Sequence, residues 1–132
     1  MFTITADTVV DFSGSTGSVF KFKAPRAGRL NVHESFLVFE ELVGDATTQG
    51  VMSLEIGGVE VATYTTLGDG TEAVDASANF TVDGTVATAK DPYVAIAAGD
   101  VIDVKLKTQA SGGTTTGTAR AFLSLNFAPK QA

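Results

Sequence analysis

Apolar side chains recur at every second position along much of this chain, the period of a strand with one face buried and the other wet. In Val19-Phe20-Lys21-Phe22-Lys23 the two phenylalanines point one way and the two lysines the other. Ile102, Val104 and Leu106 alternate with Asp103, Lys105 and Lys107, and the turn at Gly99-Asp100 launches them. Thr118 to Phe127 gives the clearest strand. Ala119, Ala121, Leu123, Leu125 and Phe127 take its core side, leaving Phe122 outside with Arg120 and Ser124. Val51–Ile56 and Val59–Thr63 flank Gly57-Gly58, a two-residue hairpin signal because both positions tolerate positive φ. From Arg29 to Phe39 the residues Leu30, Val32, Phe36 and Val38 hold one parity, which assigns them to the core. Glu34 interrupts that set, and a bulge there, or a place where the face meets water, explains it.

Pro25 and Gly28 punctuate the turn after Lys23, and residues 108–117 form a polar loop too rich in glycine for a packed element. Helical periodicity competes only at 36–43 and in the alanine-rich stretch 73–78, both short and without caps at both ends. The pattern predicts an all-β chain: one antiparallel β-sandwich domain, residues 1–132, of about eight strands. Residues 1–12 have strand character and read as an N-terminal arm or an edge strand. As an arm they would add a strand to a neighbouring surface, and their removal would leave folding intact.

Composition narrows the function classes. A 132-residue chain that is 44% hydrophobic and 18% charged is neither disordered nor multidomain. The absence of cysteine excludes disulfide scaffolds, thiolate zinc sites and thiol catalysis. No apolar run approaches the ~18 residues of a membrane-spanning helix. Met-Phe-Thr-Ile-Thr-Ala-Asp has neither a basic start nor an apolar segment of a secretion leader, so synthesis in the cytoplasm is expected, with no membrane partner. A net charge of −6 argues against nucleic acid. That charge is uneven: residues 34–103 carry thirteen acids against Lys90 alone, while the two ends carry eight bases against Asp7 and Asp11.

Candidate chemistry is sparse. His33 lies in mid-strand with no Gly-x-Ser-x-Gly elbow anywhere, and Gly14-Ser15-Thr16-Gly17 lacks the lysine and helix of a phosphate loop. Asp69, Glu72, Asp75 and Asp83 are hard-oxygen ligands, but their spacing matches no calcium loop. Asn79-Phe80-Thr81 fits the glycosylation rule incidentally. Tryptophan, a common sugar platform, is absent, and Tyr64, Tyr93 and Phe122 are the few outward aromatics. No catalytic residue, metal or cofactor is assigned, and the chain reads as a non-enzyme. The densest signal is basic: Lys21, Lys23, Arg26 and Arg29 fall within nine residues that hold no acid. They read either as lysines guarding a strand edge or as a docking patch for an acidic protein surface.

Several of these segments together resemble a known family. They are Phe20-Lys21-Phe22-Lys23-Ala24-Pro25-Arg26-Ala27-Gly28-Arg29-Leu30, the Gly57-Gly58-Val59 hairpin, Ala98-Gly99-Asp100-Val101-Ile102-Asp103-Val104, and the closing run Gly117-Thr118-Ala119-Arg120-Ala121-Phe122-Leu123-Ser124-Leu125. Their order resembles the jelly-roll cement, or decoration, proteins of tailed-bacteriophage heads, and more distantly the C1q and tumour-necrosis-factor trimers. The resemblance covers residues 18–128 and implies a jelly-roll fold. It also implies a structural virion protein, usually a homotrimer, bound to the major capsid protein on the outside of the shell. The basic set Lys21, Lys23, Arg26 and Arg29 would then dock on the capsid, and Phe122 with Arg120 would lie at a subunit interface. The alternative is a carbohydrate- or receptor-binding jelly-roll module of a phage tail or surface appendage.

Overall fold

In the computed structural model, which describes residues 2–5, 9–87, 90–114 and 116–128, every regular element is a strand and every pairing between strands is antiparallel. One sheet is built on two long strands, β4 (Gly28–Phe39) and β13 (Thr118–Phe127), in register from Phe39↔Ala119 to Gly28↔Phe127. On the far side of β13 lie β1 (Phe2–Thr5) and β2 (Val10–Asp11); on the far side of β4 lie β9 (Ser77–Asn79) and β11 (Tyr93–Ile96). The second sheet runs β10 (Thr81–Val82), β7 (Val59–Thr65), β6 (Val51–Ile56), β12 (Val101–Thr108) and β3 (Gly17–Lys23). A small third sheet pairs β5 (Val43–Asp45) with β8 (Asp69–Glu72). The expected sandwich is present. Among the described residues there are thirteen strands, more than the eight or so expected: β1 and β2 share one flank, β9 and β11 share another, and β5, β8 and β10 are short additional strands.

The sheets close on one core. Leu30, Leu37, Leu123 and Leu125 from the first meet Met52, Leu54, Ile102 and Leu106 from the second, all at 1% exposure or less. The hairpin at Gly57-Gly58 joins β6 to β7 as expected, with φ of 59° and 82°, values that a side chain would strain.

The core side of β4 corrects the sequence reading. Phe122 pairs with Phe36 and Ser124 with Asn31, so β13 spends one residue, Leu123, where β4 spends four. This bulge sits at Glu34, where one was expected, but it reverses the alternation after it. Leu37 and Phe39 are buried, while Phe36 and Val38 turn to the outer side. Ser35, fully buried, holds the bulge: its hydroxyl donates to the Asn31 carbonyl at 2.7 Å and accepts from the Ser124 N–H at 3.0 Å. A second bulge, between Leu54 and Glu55, sets Glu60 against Glu55 and Ala62 against Leu54. Val61 becomes the extra residue, and Tyr64 turns inward.

The N-terminal segment is paired within its own chain. Phe2↔Leu125 and Asp11↔Thr118 make it the edge of the first sheet; Met1 and residues 6–8 lie outside the described residues. Val10 and Phe12 are 1% and 0% exposed. Removing residues 1–12 therefore takes side chains out of the core, and folding would not survive it unchanged as the arm reading expects.

Candidate functional site

The four clustered bases surround one end of the sandwich. β3 leaves the second sheet at Lys23, turns through Ala24–Ala27, and enters the first sheet as β4 at Gly28. Backbone bonds tie the neighbouring turns together here: Ala24 N–H to the Asp100 carbonyl, Gly57 N–H to Val101, and Ala128 N–H to Ala27. Gly28 is needed at this crossing, because a Cβ there would sit 2.7 Å from the Phe127 ring. Lys21 and Lys23 are exposed on the outer side of β3, Arg26 is exposed in the turn, and Arg29 is exposed on the outer face of the opposite sheet. The bases thus wrap the end rather than tile one face. Arg26 Nη1 donates to the Ala128 carbonyl at 3.2 Å, and the Arg29 guanidinium lies 4.3 Å above the centre of the Tyr93 ring. Between them is an open depression of about 370 Å³, lined by Ala27, Gly28, Arg29, Asn126, Phe127 and Ala128.

Three other bases are neutralised inside the chain. Lys105 Nζ meets Glu55 at 2.9 Å, Lys107 Nζ meets Glu60 at 3.0 Å, and Arg120 Nε meets Glu40 at 2.6 Å. The Glu55 contact, which outweighs the small desolvation, holds the Lys105 ammonium above its ordinary pKa. Among the described residues no carboxylate stands within ion-pair distance of Lys21, Lys23, Arg26 or Arg29. Lys21 is opposite Asp103 in the ladder, yet Asp103 Oδ2 accepts from the Ser18 hydroxyl at 2.9 Å instead.

The opposite end is acidic. Its turns, tied by bonds such as Ala46 N–H to Gly68, Thr47 N–H to Gly112 and Phe12 N–H to Gly117, carry Asp11, Glu40, Glu41, Asp45, Asp69, Glu72 and Asp75. The segmental asymmetry of the sequence has become a polarity along the strand axis. Asp45 and Asp69 are held below the usual aspartate pKa chiefly by the hydroxyls of Thr114 and Thr71, and Asp83, on the flank, by the Thr85 N–H and then its hydroxyl. Asp69, Glu72, Asp75 and Asp83 do not converge: among the described residues no three metal-ligating side chains come together. Glu72 is instead 5% exposed, with Oε2 accepting from the Tyr64 hydroxyl and from the Leu67 N–H at 3.1 Å. Burial first, then the adjacent Glu72, pushes the Tyr64 phenol well above its ordinary pKa. Tyr64 is therefore no outward aromatic; its ring packs 5.8 Å from Phe39 and 6.5 Å from Phe12.

Phe122 is half-buried on the outer face of the first sheet, where it stacks on Phe36 with centroids 5.0 Å apart and planes 7° from parallel. Val38 lies beside the pair, opposite Arg120, whose guanidinium is engaged by Glu40. The sequence places Phe122 and Arg120 on this outer face, as observed, but assigns Phe36 and Val38 to the core. Tyr93 is 37% exposed under Arg29, and His33 is exposed in the bulge. Comparison with family models, with curated proteins and with solved structures found no match to this chain.

Proposed function

We propose that this chain is a structural adhesion protein that binds the outer surface of a tailed-phage head and stabilises it, a cement or decoration protein whose partner is the major capsid protein. The observation that carries this reading is the division among the bases. A chain with 15 acids has carboxylates enough for all nine of its bases, yet among the described residues the four around one end have no ion-pair partner while three elsewhere are paired. Unneutralised cations on one end concentrate positive potential there, which steers and orients docking on an acidic surface.

The strand order supports the jelly-roll part of the reading. Counted as eight positions, β1 with β2 pairs β13, β3 pairs β12, β4 pairs β9 with β11, and β6 pairs β7. First with eighth, second with seventh, third with sixth and fourth with fifth is the pairing of a ribbon rolled into two sheets. The Phe36–Phe122 stack with Val38 offers an apolar patch for contact between subunits. A homotrimer joined there would convert weak single contacts with the shell into strong binding by avidity. The protein would be made in the host cytoplasm and act on the capsid exterior, with no reaction centre, cofactor or nucleic acid in the role.

Cosedimentation with heads of the phage that encodes this chain tests the reading. The wild type should pellet with heads, and raising salt to about 0.5 M should weaken that binding. The quadruple reversal K21E/K23E/R26E/R29E should remain folded and in the supernatant. Wild-type protein that ignores heads, or a folded quadruple variant that still pellets, refutes it. A glycan array that captures the protein would favour the carbohydrate-binding alternative.

A further inference from the structure

The five-stranded sheet ends at β3, which pairs with β12 on one side and, among the described residues, with no strand on the other. An antiparallel ladder sends the backbone groups of successive residues to alternate sides. The Ala24 N–H donates to the Asp100 carbonyl at 2.8 Å, one step beyond the Lys23↔Val101 pair. By that two-residue period the N–H and C=O groups of Phe20 and Phe22 face β12, and those of Lys21 and Lys23 face away from the sheet. The same two residues therefore carry the outward backbone groups and the unpaired ammonium groups. On the other face of the strand Phe20 and Phe22 pack against the core yet are only half-buried, so the flank of the core is open along this edge.

We propose that β3 is a strand-addition site whose occupant is an extended segment of a partner protein in which acidic and apolar residues alternate. The inference rests on the docking reading above and supplies its chemistry. Residues opposite one another on adjacent strands share a face, so an antiparallel guest would set its acids beside Lys21 and Lys23 and its apolar side chains beside Phe20 and Phe22. A second copy of β3 does not fit, because antiparallel self-pairing would bring lysines of the two strands onto one face. The lysines that block pairing with a like strand select an acidic one. In this register the guest residues opposite Lys21 and Lys23 are its acids, and it is their backbone nitrogens that donate to β3.

That register gives a test with an internal control. The probe is a blocked eight-residue peptide of alternating aspartate and valine, titrated into the full-length protein. Amide hydrogen exchange should slow about tenfold at Lys21 and Lys23 and stay unchanged at Phe20 and Phe22, which already face β12. N-methylating the aspartate nitrogens should abolish binding, and N-methylating the valine nitrogens should leave it within about twofold. Lys21→Pro, which removes an outward donor and keeps the ladder to β12, should bind more weakly than Lys21→Ala. Equal binding of both N-methylated peptides, or of a peptide with the same residues in blocks, would overturn strand addition while leaving charge-driven docking intact. Absent protection at Lys21 and Lys23 would also overturn it. Failure of the docking reading shows separately, as head binding by the quadruple charge-reversed variant.

Discussion

Ser35→Ala isolates the physical cause of the phase reversal in β4. Ser35 is fully buried and makes two hydrogen bonds, donating to Asn31 O and accepting from Ser124 N–H. Alanine fills nearly the same space, so cavity formation contributes little. What is lost is the acceptor for a backbone N–H on Ser124, itself 3% exposed, together with one donor to a carbonyl. A buried donor left unpaired costs about 1–3 kcal/mol and a lost hydrogen bond about 0.5–1.5 kcal/mol, which together give roughly 2–4 kcal/mol. Ser53 provides the control, because it is equally buried but its hydroxyl only donates to Glu60 Oε2 at 2.9 Å. That carboxylate keeps Lys107, so Ser53→Ala should cost about 1 kcal/mol or less. Urea unfolding measures both. With a slope of about 1–3 kcal/mol/M, Ser35→Ala should lower the midpoint by roughly 1–2 M and Ser53→Ala by a fraction of that. In a thermal scan the difference should approach about 10 °C for Ser35→Ala. Equal losses for the two variants would mean that burial alone sets the cost, and the account of the bulge as a structure held by one hydroxyl would be wrong.

Other perturbations probe different links. Phe12→Ala, at a fully buried ring, should cost about 3–5 kcal/mol in the same urea titration, and a near-neutral result would show that the N-terminal segment is an ornament of the fold. Asp45, Asp69 and Asp83 have folded-state pKa values below the ordinary aspartate value, so they contribute stability that is complete above pH 4 or so and is lost as pH falls through the lowered values. Stability measured from about pH 5 to 2 should therefore drop, and Thr71→Val with Thr114→Val should flatten the drop, since each removes the largest cause of a lowering. Phe122→Ala gives up a stacked pair worth about 0.5–1.5 kcal/mol beyond its area, a modest loss of stability. If that face joins subunits, analytical ultracentrifugation should show the variant as monomers where the wild type is trimeric; unchanged sedimentation would remove Phe122 from the interface.

Alternation read correctly wherever the ladder is regular. In β12 and β13 every side chain assigned to the core side is buried or packed against the core, and β6 with β7 flank Gly57-Gly58 as the hairpin signal requires. The side chains assigned to the wrong face share one cause. Phe36 and Val38 were placed inward, and Tyr64 outward, because each lies beyond a bulge that shifts the parity of all that follows. A polar residue in an apolar set announces that a bulge exists but not how many residues it absorbs. Ser35, which looks like one more polar interruption, is the residue that settles the count. The basic run was legible as a run, since charge needs no fold to be counted. Its distribution over two opposite faces was not, because the chain changes sheets between Lys23 and Gly28. Nor could the sequence place the acids of residues 40–75 together, since that depends on which turns share an end.

The separation of the two charged ends decides what net charge means for this molecule. β4 spans the sandwich in 12 residues, and the steps between them at ~3.3 Å give roughly 36 Å, shortened somewhat by its bulge. The Debye length at physiological salt is about 8 Å, so the acidic turns around Asp45 and Asp69 do not screen the basic end around Arg26. An approaching surface meets a local field of cations, not the average of −6. Acids on the flank could have cancelled that field. Asp103 lies opposite Lys21, but its Oδ2 accepts from the Ser18 hydroxyl, and Glu55 and Glu60, farther along the second sheet, are each committed to a lysine of β12. Asp100 sits within the basic end itself, with its Oδ2 accepting from the Ala97 N–H at 2.9 Å, which spends that oxygen on holding a turn. The internal pairs neutralise the middle of the second sheet, while Lys21, Lys23, Arg26 and Arg29 have no ion-pair partner among the described residues. Glu55→Gln, which frees Lys105 without touching the basic end, should strengthen binding to an acidic surface slightly, whereas a new acid beside Arg26, as in Ala27→Glu, should weaken it by more than Glu55→Gln strengthens it, although each changes the net charge by one unit.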